Sequence, residues 1–330
     1  MSYKKPKVSI IVPVYNAGDR FIKCMETLVN QTLHEIEIIL ILDCPTDGTD
    51  CIAKQYAAID KRIIIIENET NLHIGKSRNV GLKIAKGEYI GFSDHDDYRE
   101  LTMYERLYSY ALQQDADVVL SLPVYVKNGE KEVYKFNTDS IHLKKAILKD
   151  LISFGENLYK GGIFVCVNNN LYRSDFLKSI DVLFVDTNNI TPEDVLFQIE
   201  IINKSSSTCI LNEGLYYHLF HDSNEGRKYS YHSYKKRGAG MNMIYEYLKR
   251  ENIYDDYKND FYKGVVKQFL YSLSGALFPK INIFLFLKAA KHLRSFSFCK
   301  EAFLHYTLPQ PEKGIPNRLF RKFLIWVLTC

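Results

Sequence analysis

The chain has no Cys-x-x-Cys pair, a single tryptophan, and no apolar run near the roughly 18 residues that a membrane-crossing helix needs. Each scarcity excludes something. Seven cysteines, an odd number at irregular spacings such as Cys44 to Cys51, make neither a disulfide framework nor a zinc-ligand pattern, and this usage predicts a reducing compartment. No sign of charge dominates: a net +4 over 330 residues is too little to argue for a nucleic-acid partner, although basic residues thicken after residue 227. Met1 to Lys7 lead into an apolar strand without the apolar core of a secretion signal, which predicts a cytoplasmic chain. Internal repeats and low-complexity linkers are also missing. What is present is an ordinary globular balance, 46% hydrophobic and 25% charged, with length for one large or two modest domains.

Short buried strands alternate with amphipathic helices through the first half. Val8 to Val12 reads as a strand closed by Pro13; Asp19 to Gln31 carries Phe21, Ile22, Met25, Leu28 and Val29 on one helical stripe. The pattern repeats with a strand over 36–42, a helix over 50–58, a strand over 63–66 and a helix over 77–86. Such alternation implies a mostly parallel sheet covered by helices on both faces. A helix over 101–114 and a strand from Asp117 to Leu122 follow. Next comes a hairpin over 124–136 about Asn128-Gly129, a pair that supplies the positive φ angles of a tight turn. The strict alternation stops there, leaving a helix over 141–154, an apolar strand over 163–167 and a helix over 191–203 that Thr191 can cap, with Pro192 in its first turn. From Tyr229 onward the chain is aromatic, basic and helix-rich.

The feature that organises these elements is Gly87 to Asp97. An apolar strand ends abruptly in Asp94-His95-Asp96-Asp97, so charge is concentrated where a buried strand emerges, which is where open α/β sheets place their ligands. Paired carboxylates on such a loop can hold a hard divalent cation, and the cation a diphosphate. A solvated acidic turn explains the same residues when they are taken alone.

Four segments in order resemble the family 2 glycosyltransferases, inverting enzymes of the GT-A fold that use nucleotide-sugar donors. They are Val8-Ser9-Ile10-Ile11-Val12-Pro13-Val14-Tyr15-Asn16, the helix with Arg78-Asn79-Val80-Gly81, the acidic stretch with Asp94-His95-Asp96-Asp97, and Glu193-Asp194 with Phe197 behind it. The resemblance covers residues 7 to 222. It implies a Rossmann-like, mostly parallel GT-A sheet sandwiched by helices in a catalytic domain over 1–225, its nucleotide-sugar part over 1–122 and its acceptor part over 123–225. A helical region follows over 226–330.

The resemblance also implies roles. Asp43 accepts from the uracil ring N–H, Pro13 and Tyr15 flank the base, and Arg78 lies near base and diphosphate. Asp94 belongs to the ribose and metal surroundings, Asp96 coordinates Mn2+ or Mg2+, and His221 approaches the metal or diphosphate, with His218 as the alternative histidine. His95 fills the variable middle position and Asp97 supports the loop. Asp194 is the base that takes the proton of the acceptor hydroxyl; the same carboxylate also suits a helix start. One departure is plain: an aspartate pair usual in the family is Asp43-Cys44 here, followed by Pro45.

The expected reaction is metal-dependent transfer of a hexose or N-acetylhexosamine from a UDP-sugar to a glycan or lipid-linked saccharide in surface polysaccharide synthesis. The rival classes are a sugar nucleotidyltransferase, which would show a glycine-rich loop after the first strand, and a non-catalytic nucleotide-binding scaffold. Arg318 to Leu328 mixes basic heads with apolar bulk and Trp326, as peripheral contact with a membrane face or a packed terminal helix of a homodimer requires.

Overall fold

The computed structural model describes residues 5–133, 143–155, 166–220, 233–277, 282–305 and 326–327. The chain divides into two compact units, one of residues 1–147, 163–187 and 197–222, the other of 148–162, 188–196 and 223–330.

The first unit is built on a sheet whose strands are β1 (Val8–Val14), β2 (Ile36–Leu42), β3 (Ile63–Glu67), β4 (Tyr89–Phe92), β5 (Tyr98–Arg99), β6 (Val118–Lys127), β7 (Glu130–Val133), β8 (Asn170–Arg173) and β9 (Thr208–Leu219). Their spatial order is β3-β2-β1-β4-β8-β6-β9-β5, with β7 added to β6. The first four are parallel, and the helices α1 (Arg20–Val29), α2 (Thr49–Ile59) and α3 (His73–Ile84) connect them. That parallel part is what near-continuous apolar strands demand, since every residue of β1 and β2 is buried. Beyond β4 the pairing becomes antiparallel at β8, and β6 carries a parallel β9 on its far side.

Two prolines sit inside strands rather than ending them. Pro13 stays in register with Ile41. The last β1-to-β4 bond runs from Ser93 N–H to Ile11 O, and the next donor on that edge would be Pro13, which has no N–H, so the ladder stops and the two chains part. Pro123, the residue after the strand expected to end at Leu122, instead lies within β6 where the register with β9 slips on either side of Leu122, the bulge position that tolerates it. Asn128 and Gly129, with φ of 52° and 83°, make the expected hairpin turn. The strand expected over 163–167 is not found in its described part; the strand is β8, which begins at Asn170 and was hidden by three asparagines.

Helix α3 begins a turn earlier than its apolar pattern indicates and packs tightly. A Cβ on Gly75 would lie 2.2 Å from the carbonyl oxygen of Val185, so only glycine allows this approach. The expected result of Gly75→Ala is a loss of about 2 kcal/mol in urea unfolding: overpacking against backbone costs about 3 kcal/mol, against about 1 kcal/mol gained in helix propensity.

In the second unit, α8 (Ser233–Arg250), α9 (Tyr254–Leu277), α10 (Ile283–Arg294) and α11 (Ser297–His305) pack around Met241, Ile244, Phe261, Val265, Phe269, Leu293 and Phe298. Thr191 joins α8 here: its N–H donates to Lys236 O at 3.2 Å, and Gly240 leaves room for its carbonyl. The helix α7 (Glu193–Lys204) follows, with the Pro192 carbonyl accepting from Leu196 N–H, so Pro192 rather than Thr191 precedes its first turn. No described helix is long and apolar enough to cross a membrane.

Candidate active site

The loops after β1 and β2 are locked to one another. Thr49 Oγ1, at the start of α2, accepts from the N–H groups of Ala17 and Gly18 and donates to Asp47, while Asp47 accepts from Gly18 N–H at 2.9 Å and Asn16 from Thr46 N–H at 2.7 Å. These bonds hold a preformed rim at the carboxyl ends of two parallel strands. Asp43 is 3% exposed there, and its Oδ1 accepts from Asn68 Nδ2 at 2.8 Å and Leu72 N–H at 2.7 Å. The carboxylate therefore spends one oxygen on holding the segment that leads into α3. Tyr15 stands on the same rim, 39% exposed.

The residues Arg78, Asn79 and Gly81 of α3 each have a separate job. Arg78 is buried, bonds Asp94 Oδ1 through Nη2 at 3.1 Å, and lies 5.0 Å over the ring of Phe184. Asn79 exchanges two bonds with the backbone of Phe184, as a neighbouring strand would. Gly81 lets the helix meet Ile11, where a Cβ would fall 2.4 Å from Cγ2. Lys76 pairs with Asp186 at 2.6 Å.

The acidic stretch leaves β4 and immediately meets β9. Asp97, 1% exposed, accepts at Oδ2 from Tyr216 Oη at 2.8 Å and contacts His218 Nδ1 at 2.9 Å, while Oδ1 accepts from Leu219 N–H at 2.8 Å. Tyr216 Oη in turn accepts from Asp94 N–H at 3.1 Å. Beneath the loop lies Arg99, 2% exposed, which donates from Nη2 to Ser93 Oγ at 2.7 Å and Asp97 O at 3.3 Å and faces the Tyr216 ring at 5.7 Å. His95 turns away and meets Pro13 O at 3.0 Å, so the middle residue closes the gap left by the proline.

One oxygen or nitrogen each of Asp94, Asp97 and His218 come within 4.8 Å of one another, the one such metal-competent group among the described residues. Asp96, expected as the metal residue, shares the loop but not this group, and His221 lies outside the described residues. Burial raises the Asp94 carboxyl above the usual range, aided by Asp97 and Asp96 and opposed by Arg78. Burial alone would depress His218, but Asp97 overcomes it and raises the imidazole to about 9, so without a cation it is protonated at neutral pH. Nδ1 faces Asp97, which orients the ring, and a divalent cation held by this group would have to displace that proton. Arg99 was missed as a site residue; of the two histidines between which the choice was open, His218 is the one found in this group. Tyr216 and His218 stand two apart on one strand, both facing Asp97, a period-two signal that marks a shared face.

The sequence and the fold have known counterparts. The model of the glycosyl transferase family 2 matches residues 9–180. The uncharacterized glycosyltransferase EpsJ of Bacillus subtilis is 33% identical over 64% of this chain, and the chain spans 60% of the length of that protein. The cholesterol galactosyltransferase of Borreliella burgdorferi is 30% identical over 82% of this chain and 75% of its own length. In structure, Staphylococcus aureus TarS 1–349 in complex with UDP-GlcNAc superposes with a TM-score of 0.67 at 22% identity, covering 98% of this chain and 89% of that one. The fold is the GT-A type, a mixed α/β sheet with a helix-rich C-terminal part.

Proposed function

This chain belongs to glycosyl transferase family 2 and is a glycosyltransferase, and we propose that it moves a sugar from a UDP-sugar to a hydroxyl of a glycan or lipid-linked saccharide, with inversion and with Mn2+ or Mg2+. The observation that carries this reading is the convergence of Asp94, Asp97 and His218 where the loop after β4 meets β9, beside the locked rim of β1 and β2. Two carboxylates and an imidazole make a mostly oxygen donor set that suits such an ion, with Asp96 on the same loop. A divalent cation bound there would neutralise the negative charge that grows on the departing diphosphate.

The chain's own residues do the rest. Asp43 offers its remaining carboxylate oxygen to the base N–H, and Pro13 and Tyr15 flank the ring. Arg78, held by Asp94 and Phe184, supplies fixed positive charge near the diphosphate. Asp194 takes the proton of the acceptor hydroxyl as that oxygen adds to the anomeric carbon; the nucleotide leaves from the opposite face, so configuration inverts.

The test is thermal denaturation of the full chain with UDP and UDP-sugars, with and without Mn2+. A ligand at a hundred times its Kd adds about 2.7 kcal/mol, a rise of about 4 °C for a protein of this size. Asp96→Ala is expected to weaken the Mn2+-dependent part of the rise. A rise that is identical without metal, or that GDP-sugars produce in place of UDP-sugars, defeats the reading.

A further inference from the structure

Helix α10 has two faces of different character. Phe286, Ala289, Ala290 and Leu293 are buried in the second unit, while Ile283, Phe284 and Leu287 are 63%, 79% and 54% exposed, among the most exposed large apolar side chains of the described residues. Lys288, Lys291 and Arg294 continue the exposed side toward the C-terminal end. At 100° per residue all six fall on one arc opposite the buried set. The helix thus presents bulky apolar groups on its first turn and a half and cations on the rest.

Charge decides what covers such a face. No aspartate or glutamate occurs anywhere from Phe261 to Lys300, a stretch that holds seven lysines and arginines. A second copy of the chain would set these cations against one another or need an acidic counterpart on its own surface. A surface of anionic lipid headgroups over hydrocarbon matches both halves: phosphates meet Lys288, Lys291 and Arg294, while Phe284, Ile283 and Leu287 enter the acyl boundary.

We infer that α10 is a membrane-surface contact, seating the second unit on an anionic bilayer by inserting Phe284 and Leu287 beneath a row of cations. Val327 lies beside Leu287, Lys291 and Arg294, so the terminal segment adjoins this face, and the contact does not depend on the donor or acceptor of the reaction.

The experiment is sedimentation of the full chain with vesicles of phosphatidylcholine alone and of phosphatidylcholine with an equal part of phosphatidylglycerol. Binding is expected to the anionic vesicles only, and to weaken with salt. Each of Lys288→Gln and Lys291→Gln is expected to lower the partition constant about five-fold. Phe284→Ser with Leu287→Ser is expected to lower it at least about ten-fold. All four side chains are exposed, so the melting temperature of each variant should match wild type, which keeps the comparison free of misfolding. Equal binding to both vesicle types, no binding to either, or undiminished binding of the serine variant overturns the inference. So does a dimer in sedimentation equilibrium that the serine variant dissociates while vesicles are ignored, since the face would then belong to a second copy.

Discussion

Replacing Arg99 by methionine is expected to cost about 3–5 kcal/mol of unfolding free energy, a large part of what a domain possesses. Two effects compete. A buried guanidinium is expensive to desolvate, and here its Nε lies buried without a hydrogen-bond partner. Methionine fills similar space at no such cost, and exchanging a whole buried ion pair for apolar groups is often neutral. This exchange instead leaves acceptors behind. Asp97 is 1% exposed and its carboxylate stays with His218, but Ser93 Oγ and Asp97 O lose the charged donor that holds the loop. The unsatisfied acceptors decide the sign. Urea midpoints of wild type, Arg99→Met and Arg99→Lys measure it; lysine, a point charge without the fork, should recover at most about half. A methionine variant within about 1 kcal/mol of wild type would show that the loop does not rest on this residue.

Arg99 also marks the limit of what the amino-acid sequence discloses. The parallel part of the sheet was legible because β1 and β2 are buried on both faces and read as unbroken apolar runs. Arg78-Asn79-x-Gly81 was legible as a set, although the reason for each residue, a buried pair, a borrowed strand edge and a close approach to Ile11, is tertiary. Arg99 follows the acidic stretch directly and looks like one more solvated charge; only the folding of β5 onto β9 carries it inside. The partner of Asp97 is 121 residues away in the chain, so no local pattern pairs it with His218. Strand β8 was masked for a similar reason. Asn170 looks like a turn residue but is buried, and its amide bonds Gln198 and the Tyr172 hydroxyl, a polar cluster whose partners come from α7 and from its own strand.

Asp194→Asn is expected to lower turnover about 10²–10⁴-fold while the donor still binds. Two readings of this carboxylate make opposite demands. As a group that caps or charges the first turn of α7, it contributes stability, and asparagine, itself a favoured residue at helix starts, replaces it with a loss of at most about 1 kcal/mol and little change in rate. As the acceptor base it must take a proton, which the amide cannot do, so kcat falls while the melting temperature and its UDP-dependent rise hold. The start of α7 is fixed independently, by the bond from Thr191 N–H to Lys236 O and by the glycine at 240, so removing one charge should not displace it. Kinetics with saturating UDP-sugar, read beside thermal unfolding, separate the outcomes. Asp96→Ala serves as the contrast, because it should weaken the metal-dependent binding that Asp194→Asn leaves intact. If asparagine at 194 turns over at the wild-type rate, proton removal falls to another group and the carboxylate belongs to the helix alone.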